Sequence, residues 1–266
     1  MDLQLNGQLA VVIGGAGGIG QAIGSAFLAE QARVVLVDRD PQLVSIAQNM
    51  SSGDRATPCV ANVTDFAAVQ RAAETVEYLG GCDHLVYAAA VGSGKVGFPF
   101  WNVDPADWDH VLRVNLLGAV NVAHAFAPAM AQRRTGTLLF VSSVAGQIGS
   151  QTDPPYSASK AALINFAQCV ARDLAPCGVR VNTLCPGMVD TPLSRSVYEA
   201  WAARQPAANR IPYAEWADEK LRRLVPLGCW QTADEIAAMS VFLASPRASS
   251  VTGQTINVDG GYVMHW

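Results

Sequence analysis

Short apolar runs recur along the chain, and stretches with apolar residues at helical spacing lie between them. Residues 9–13 form the first run, of strand type. Residues 21–31 follow with Ala22, Ile23, Ala26 and Phe27 on one face, the pattern of a helix. Residues 33–37 make a second strand that ends in Asp38. Further strands are predicted at 56–61, 84–90, 137–141, 179–184 and 255–258, and helices at 67–79, 107–130, 158–173 and 232–243. Thr64 or Asp65 is placed to cap the helix at 67–79, and Thr232 with Glu235 forms a capping-box pattern. Strands separated by helices predict a parallel sheet covered on both faces. No linker, repeat or low-complexity tract interrupts the alternation. The expectation is a single α/β domain over residues 1–266, a doubly wound parallel seven-stranded sheet of Rossmann type.

Composition narrows the partners. Half of the residues are hydrophobic, enough for a sizeable core, and the net charge is −4 with no basic block. Nucleic acid and acidic membrane surfaces are therefore not expected partners. Residues 1–6 show no basic region followed by an apolar run, and no apolar run approaches the ~18 residues that cross a membrane. A cytoplasmic location is expected. The six cysteines, Cys59, Cys82, Cys169, Cys177, Cys185 and Cys229, contain no C-x-x-C pair and are expected as buried free thiols in a reducing compartment. His84, His110, His124 and His265 are dispersed without metal-ligand spacing, so no metal is expected and each is assigned a structural role.

Directly after the first strand comes Gly14-Gly15-Ala16-Gly17-Gly18-Ile19-Gly20. Strand, glycine turn, helix, strand and acid together form a βαβ unit able to hold a dinucleotide. The glycines let the backbone approach a pyrophosphate, which the helix N-terminus meets with N–H groups and the positive end of its dipole. A carboxylate at Asp38 accepts from both adenosine ribose hydroxyls and repels a 2′-phosphate, pointing to NAD over NADP. Arg39 follows and partly offsets that repulsion.

Tyr156 and Lys160 are four apart, so on a helix they share one face. A phenol titrates near pH ~10 and is a poor base at neutral pH. A neighbouring ammonium favours the phenolate, and such a pair can move a proton on or off an alcohol oxygen. Pro154 and Pro155 suit a loop handing over to a helix start. Ser143 lies at the end of the 137–141 strand, and the other candidates also follow strand ends, where such sheets bind ligands. Asn115 sits mid-helix, where an amide has low propensity; its spacing fits a surface or locally bonded amide and a site residue equally well.

Taken together, Gly14-x-x-x-Gly18-Ile19-Gly20, Asp38, Asn115, Ser143, Tyr156-x-x-x-Lys160, Pro186-Gly187, Thr191 and the ending Thr252-Gly253-Gln254 through Asp259-Gly260-Gly261 resemble the short-chain dehydrogenase/reductase family over nearly the whole chain. The resemblance implies that Tyr156 is the general acid/base, that Lys160 lowers its pKa and bonds the nicotinamide ribose, and that Ser143 donates to the reacting oxygen. It implies that Asn115 holds a water passing protons from Lys160 to solvent. Asn62 and Val63 would meet the adenine, Ala89 the cofactor near the glycine turn, and Pro186, Val189 and Thr191 the nicotinamide end. Three departures stand out. Ile13 replaces the usual Thr, removing a hydroxyl that ties down the glycine turn. Asn62 replaces Asp, with a carbonyl oxygen still able to accept from the adenine amino group. Ala88-Ala89-Ala90 replaces Asn-Ala-Gly. The resemblance also implies a homo-oligomer, a tetramer or dimer.

Residues 190–226 fall where this family has its substrate loop. They are rich in aromatics and arginines and partly helical in pattern, suiting a lid that excludes water. Phe98, Phe100 and Trp101 lie in a second loop able to face it. The pocket so framed suits a bulky apolar or aromatic secondary alcohol, an arginine there suits a substrate carboxylate or phosphate, and packing of the lid or a subunit contact accounts for the same residues equally well. The leading expectation is an NAD-dependent enzyme interconverting a small-molecule secondary alcohol and a ketone. The alternatives are an NADP-linked 3-oxoacyl-thioester reductase and a non-catalytic cofactor-binding subunit.

Overall fold

Strand β1 (Leu9–Ile13) shows how the protein is layered. Its side chains alternate sides, as a pleated strand requires. Val11 and Ile13 enter one apolar layer, and Ala10 and Val12 enter the other. The computed structural model of the protein describes residues 2–50, 55–95, 99–149 and 153–264; Phe98 and His265 fall outside them. In chain order the elements after β1 are α1 (Gly18–Ala29), β2 (Arg33–Asp38), α2 (Leu43–Met50), β3 (Ala56–Val60), α3 (Phe66–Tyr78) and β4 (His84–Tyr87). Then come α4 (Ala106–Leu112), α5 (Gly118–Arg133), β5 (Thr137–Val141), α6 (Pro154–Leu174), β6 (Arg180–Pro186), α7 (Pro192–Ala202), α8 (Tyr213–Leu224), α9 (Ala233–Ala244) and β7 (Thr255–Val258).

The strands form one seven-stranded sheet in the order β3-β2-β1-β4-β5-β6-β7, and every pairing is parallel. One layer packs Val69 and Val76 of α3, Val122 and Phe126 of α5, and Leu163 and Ala167 of α6 on the sheet. The opposite layer uses Ile23 and Phe27 of α1, Leu43 of α2 and Ile236 of α9. Burying a side chain such as Phe27 or Phe126 contributes on the order of 2–3 kcal/mol. Strand order reverses between β1 and β4, which opens a crevice at their carboxyl ends.

Several elements differ from the sequence expectation. Helix α2 was not anticipated; it is short and buries only Leu43 and Ala47. Strand β4 stops at Tyr87, because residues 88–91 turn away to line the crevice. The helix expected over 107–130 is interrupted by a π-turn at Arg113–Leu117. The whole stretch Ala106–Arg133 is long and apolar enough to cross a membrane, contrary to the expectation of no such run. It lies instead against the sheet, with Ala119, Val122, Phe126 and Met130 in the core. Of the six cysteines, Cys82 and Cys185 are buried, whereas Cys169 and Cys229 are exposed, correcting the uniform expectation of burial. Asp65, not Thr64, caps α3 by accepting from the Ala68 amide. His84 is buried and bonds Thr137 and Gln8, and His124 meets the Phe66 ring edge-on, both structural roles.

Candidate active site

The glycine turn is held by its own backbone and by Asp38. The amides of Gly14 and Gly15 donate to the Val37 carbonyl at 2.8 and 3.1 Å. The Ala16 amide donates to Asp38 Oδ2 at 3.0 Å, an anchor that offsets the hydroxyl missing at Ile13, whose side chain is in the core. Gly14 has φ 86°, and a Cβ there would lie 2.6 Å from the Ala89 nitrogen; one on Gly20 would overlap the Gly14 carbonyl oxygen. A Cβ on Gly18 would meet nothing within 4 Å, and that position is exposed. Gly17 precedes α1 without a side-chain cap, which leaves the first-turn amides available for an anion.

A cavity of about 640 Å³ lies over the ends of β1, β2 and β4, lined among others by Gly14, Asp38, Arg39, Asn62, Val63 and Ala89. This cradle, which extra Cβ atoms would fill, with a carboxylate at the second strand's end, fits the adenosine half of a dinucleotide. Two details bear on the sequence reading. Asn62 Oδ1 already accepts from the Thr64 amide at 3.1 Å and the Thr64 hydroxyl at 3.0 Å, which uses both its lone pairs. It therefore has no acceptor left for an adenine amino group. Arg39 is exposed and shares the cavity wall with Asp38, so both signs of charge face the same space.

The catalytic candidates come together at the end of β5 and the start of α6. Ser143 extends β5, and its hydroxyl acts on the Tyr156 phenol. Lys160, 1% exposed, donates from Nζ to the Val141 carbonyl at 2.8 Å and lies 5.6 Å from the Tyr156 ring centroid. Ser142 Oγ donates to the Lys160 carbonyl at 2.8 Å. Gly146 lets the loop after β5 press on α6, since a Cβ there would lie 2.6 Å from the Lys160 carbonyl carbon.

Burial pushes the Tyr156 phenol up to about 12; the Ser143 hydroxyl pulls it down, while Asp153 and Cys185 push it further up. Burial draws the Lys160 ammonium down to about 8, with Cys185 opposing. The expectation that Lys160 lowers the phenol is thus not met by the chain's own groups. The amine is aimed at a carbonyl, and loss of water costs the phenolate more than the surroundings return.

Asn115 is fully buried in the π-turn. Its Nδ2 donates to the Val91 carbonyl and to Ser159 Oγ, each at 2.9 Å, and its Oδ1 accepts from the Val91 amide at 2.8 Å. It is thus neither a surface amide nor a locally bonded one: its partners lie 24 and 44 residues away in sequence. Ser159 Oγ in turn donates to the Tyr156 carbonyl at 2.7 Å, so Asn115 reaches the tyrosine through one serine. Ser159 and Asp153 were not singled out from the sequence; an Asp immediately before Pro-Pro was the available signal.

At the far end, Gly187 follows β6, and Val189 is buried and bridges to Gln231. Thr191 precedes α7, its hydroxyl 3.4 Å from that of Ser194. Helices α7 and α8, in the segment where a lid is expected, are joined by aromatic rings: Tyr198 lies 5.5 Å from Trp216 and 5.4 Å from Tyr213, and Trp201 lies 6.1 Å from Trp216. Tyr213 donates to Asp190 at 2.9 Å, and Arg195 stacks on Tyr213 at 4.7 Å while lying 3.7 Å from Asp190. These residues serve helix packing. Phe100 and Trp101 are exposed and meet edge-on at 5.3 Å.

A glycine-turn dinucleotide cradle beside a buried Ser/Tyr/Lys group, on a doubly wound sheet, defines a nicotinamide-dependent oxidoreductase. A family profile described as Enoyl-(Acyl carrier protein) reductase matches residues 14–263. The chain is 34% identical to the 3-oxoacyl-(acyl-carrier-protein) reductase FabG of Thermotoga maritima, over 98% of this chain and 100% of the relative. It is 32% identical to the D-threitol dehydrogenase of Mycolicibacterium smegmatis, over 99% and 95%. It is also similar to the crystal structure of L-sorbose reductase from Gluconobacter frateurii complexed with NADPH and L-sorbose, with a TM-score of 0.90 and 27% identity over 100% of both chains. The chain belongs to the short-chain dehydrogenase/reductase family.

Proposed function

We propose that the protein is an NAD(H)-dependent enzyme interconverting a secondary alcohol and a ketone, with Tyr156 as general acid/base. The observation that carries this reading is Lys160 over the Tyr156 ring, with Ser143 acting on the phenol, at the same carboxyl edge of the sheet as Asp38. When bound, the nicotinamide supplies the hydride acceptor or donor. In the oxidising direction Tyr156 takes the proton of the substrate hydroxyl while Ser143 donates to the same oxygen; in reduction Tyr156 returns it. Lys160 keeps a positive charge beneath the phenol and holds the ribose. Asn115 fixes the loop after β4 and, with a bound water, extends the proton path from Lys160.

The aromatic lid and exposed Phe100 and Trp101 favour a substrate with apolar or aromatic bulk. The D-threitol dehydrogenase relative supports oxidation at a C–OH centre. The second reading, an NADP-linked 3-oxoacyl-thioester reductase, is favoured by Arg39 in the cavity wall and by the FabG relative. The same proposal takes the enzyme as a cytoplasmic homo-oligomer, which light scattering on the purified chain tests for assembly. The deciding experiment is an NADH-absorbance screen over secondary alcohols, hydroxy acids and sugar alcohols, run with NAD and with NADP. Tyr156→Phe should abolish turnover while NADH still binds; near-normal turnover in that variant overturns the assignment.

A further inference from the structure

The first turn of α6 begins Pro154-Pro155-Tyr156. Neither proline carries an N–H, so the first amide available to a capping side chain is that of Tyr156 itself. Asp153, 8% exposed, supplies the cap: its Oδ1 accepts from the Tyr156 amide at 3.5 Å. Its Oδ2 accepts from the Ser93 amide at 2.8 Å, sixty residues away in the loop after β4. The same loop is gripped two residues earlier, where Asn115 holds both backbone groups of Val91. Asn115 also donates to Ser159, and Ser159 donates to the Tyr156 carbonyl. A closed ring of hydrogen bonds therefore runs from the Tyr156 amide through Asp153, the 91–93 loop, Asn115 and Ser159 to the Tyr156 carbonyl.

We propose that Asp153 is a positioning residue for Tyr156, clamping the 91–93 loop to the first turn of α6. It acts through the tyrosine's backbone and field and touches no substrate. The groups facing the phenol, among the described residues, are the Ser143 hydroxyl from the end of β5, Lys160 one turn along α6, the Cys185 thiol from β6 and Asp153 itself. The thiol is pushed up to about 11 by burial and is neutral at working pH. Asp153 is then the one anion in that set, and it raises the phenol. It adds to the effect of burial, which the Ser143 hydroxyl opposes. The inference rests on the reading of Tyr156 as the acid/base.

The test is Asp153→Asn, which keeps a capping oxygen and removes the charge. NMR of isotope-labelled tyrosine rings, with the Tyr156 signal assigned through Tyr156→Phe, follows the phenol directly and needs no substrate. The expected result is a Tyr156 titration lower by roughly half to one pH unit. With an alcohol found in the screen, the rising limb of kcat/KM for oxidation should move down by the same amount, with NADH affinity unchanged. An unmoved Tyr156 titration, with only a lowered Tm, overturns the proposal and leaves Asp153 a plain helix cap. Absence of turnover in the wild-type protein would instead overturn the acid/base reading, while the NMR titration still judges whether Asp153 acts on Tyr156.

Discussion

Lys160 Nζ bonds the Val141 carbonyl at 2.8 Å while lying 5.6 Å from the Tyr156 ring centroid. The amine is thus anchored to the sheet, and the phenol beside it is held by burial at about 12. At neutral pH the tyrosine is protonated, the form that donates to a ketone oxygen. Reduction should accordingly run well at pH 7, whereas the oxidation rate should climb about tenfold per pH unit below the apparent pKa of the cofactor complex. Initial rates in both directions from pH 6 to 10 check this; a flat oxidation profile would contradict it.

The lowered Lys160 amine makes a stability prediction with a definite sign. Its folded value, about 8, lies below its ordinary 10.5. Between those values the unfolded chain holds a proton that the folded chain lacks, so stability rises with pH across that window. Below pH 8 the buried ammonium costs on the order of 3 kcal/mol. Lys160→Met should therefore be more stable than wild type at pH 7, with the gap closing as pH approaches 10.5, and inactive throughout. Urea unfolding at several pH values measures it.

Asp38 both faces the cavity and holds the Ala16 amide at 3.0 Å. Asp38→Ala should raise the NADP-to-NAD preference on the order of tenfold or more, since like charges then no longer meet. It should also lower stability by about 1 kcal/mol through the lost turn bond. Kinetics with both cofactors decide; an unchanged ratio would assign the choice to Arg39 and its neighbours.

Two glycines of the turn should behave oppositely. A Cβ on Gly20 would collide with the Gly14 carbonyl oxygen, whereas one on Gly18 would meet nothing within 4 Å. Gly20→Ala should lower Tm and abolish NADH binding together. Gly18→Ala should leave Tm near wild type and weaken NADH alone, by calorimetry.

Trp216, 6% exposed, is packed by Tyr198 and Trp201 of α7 and by Tyr213 of its own helix. Trp216→Ala should unfasten α7 from α8 and raise KM well before it lowers global Tm, because the lid opens as a local unit. Limited proteolysis should then cut first between residues 190 and 226.

Much of this was legible in the chain itself. Runs such as Ala10-Val11-Val12 announce buried strands, and the glycine turn, Asp38 and the Tyr156–Lys160 spacing locate the chemistry. What stayed hidden depends on three-dimensional surroundings. The π-turn is invisible because apolar residues keep helical spacing on both sides of it. The Asn62 oxygen is consumed by a turn two residues long. The direction of the Tyr156 shift follows from how much water burial removes, which no spacing encodes. The sequence left the arginines of residues 190–226 open between a substrate anchor and packing; for Arg195 the fold shows contacts with Asp190 and Tyr213.

The π-turn at Arg113–Leu117 also fixes where the chain tolerates changes in length. One residue advances a helix by about 100°. Deleting a residue there would restore a regular helix with Val122, Phe126 and Met130 still on the sheet, but would pull Asn115 away from Val91. Loss or gain of a codon between residues 118 and 133 should therefore unseat the core face of α5, whereas loss of one within the π-turn should spare the fold and cost the Asn115 bonds.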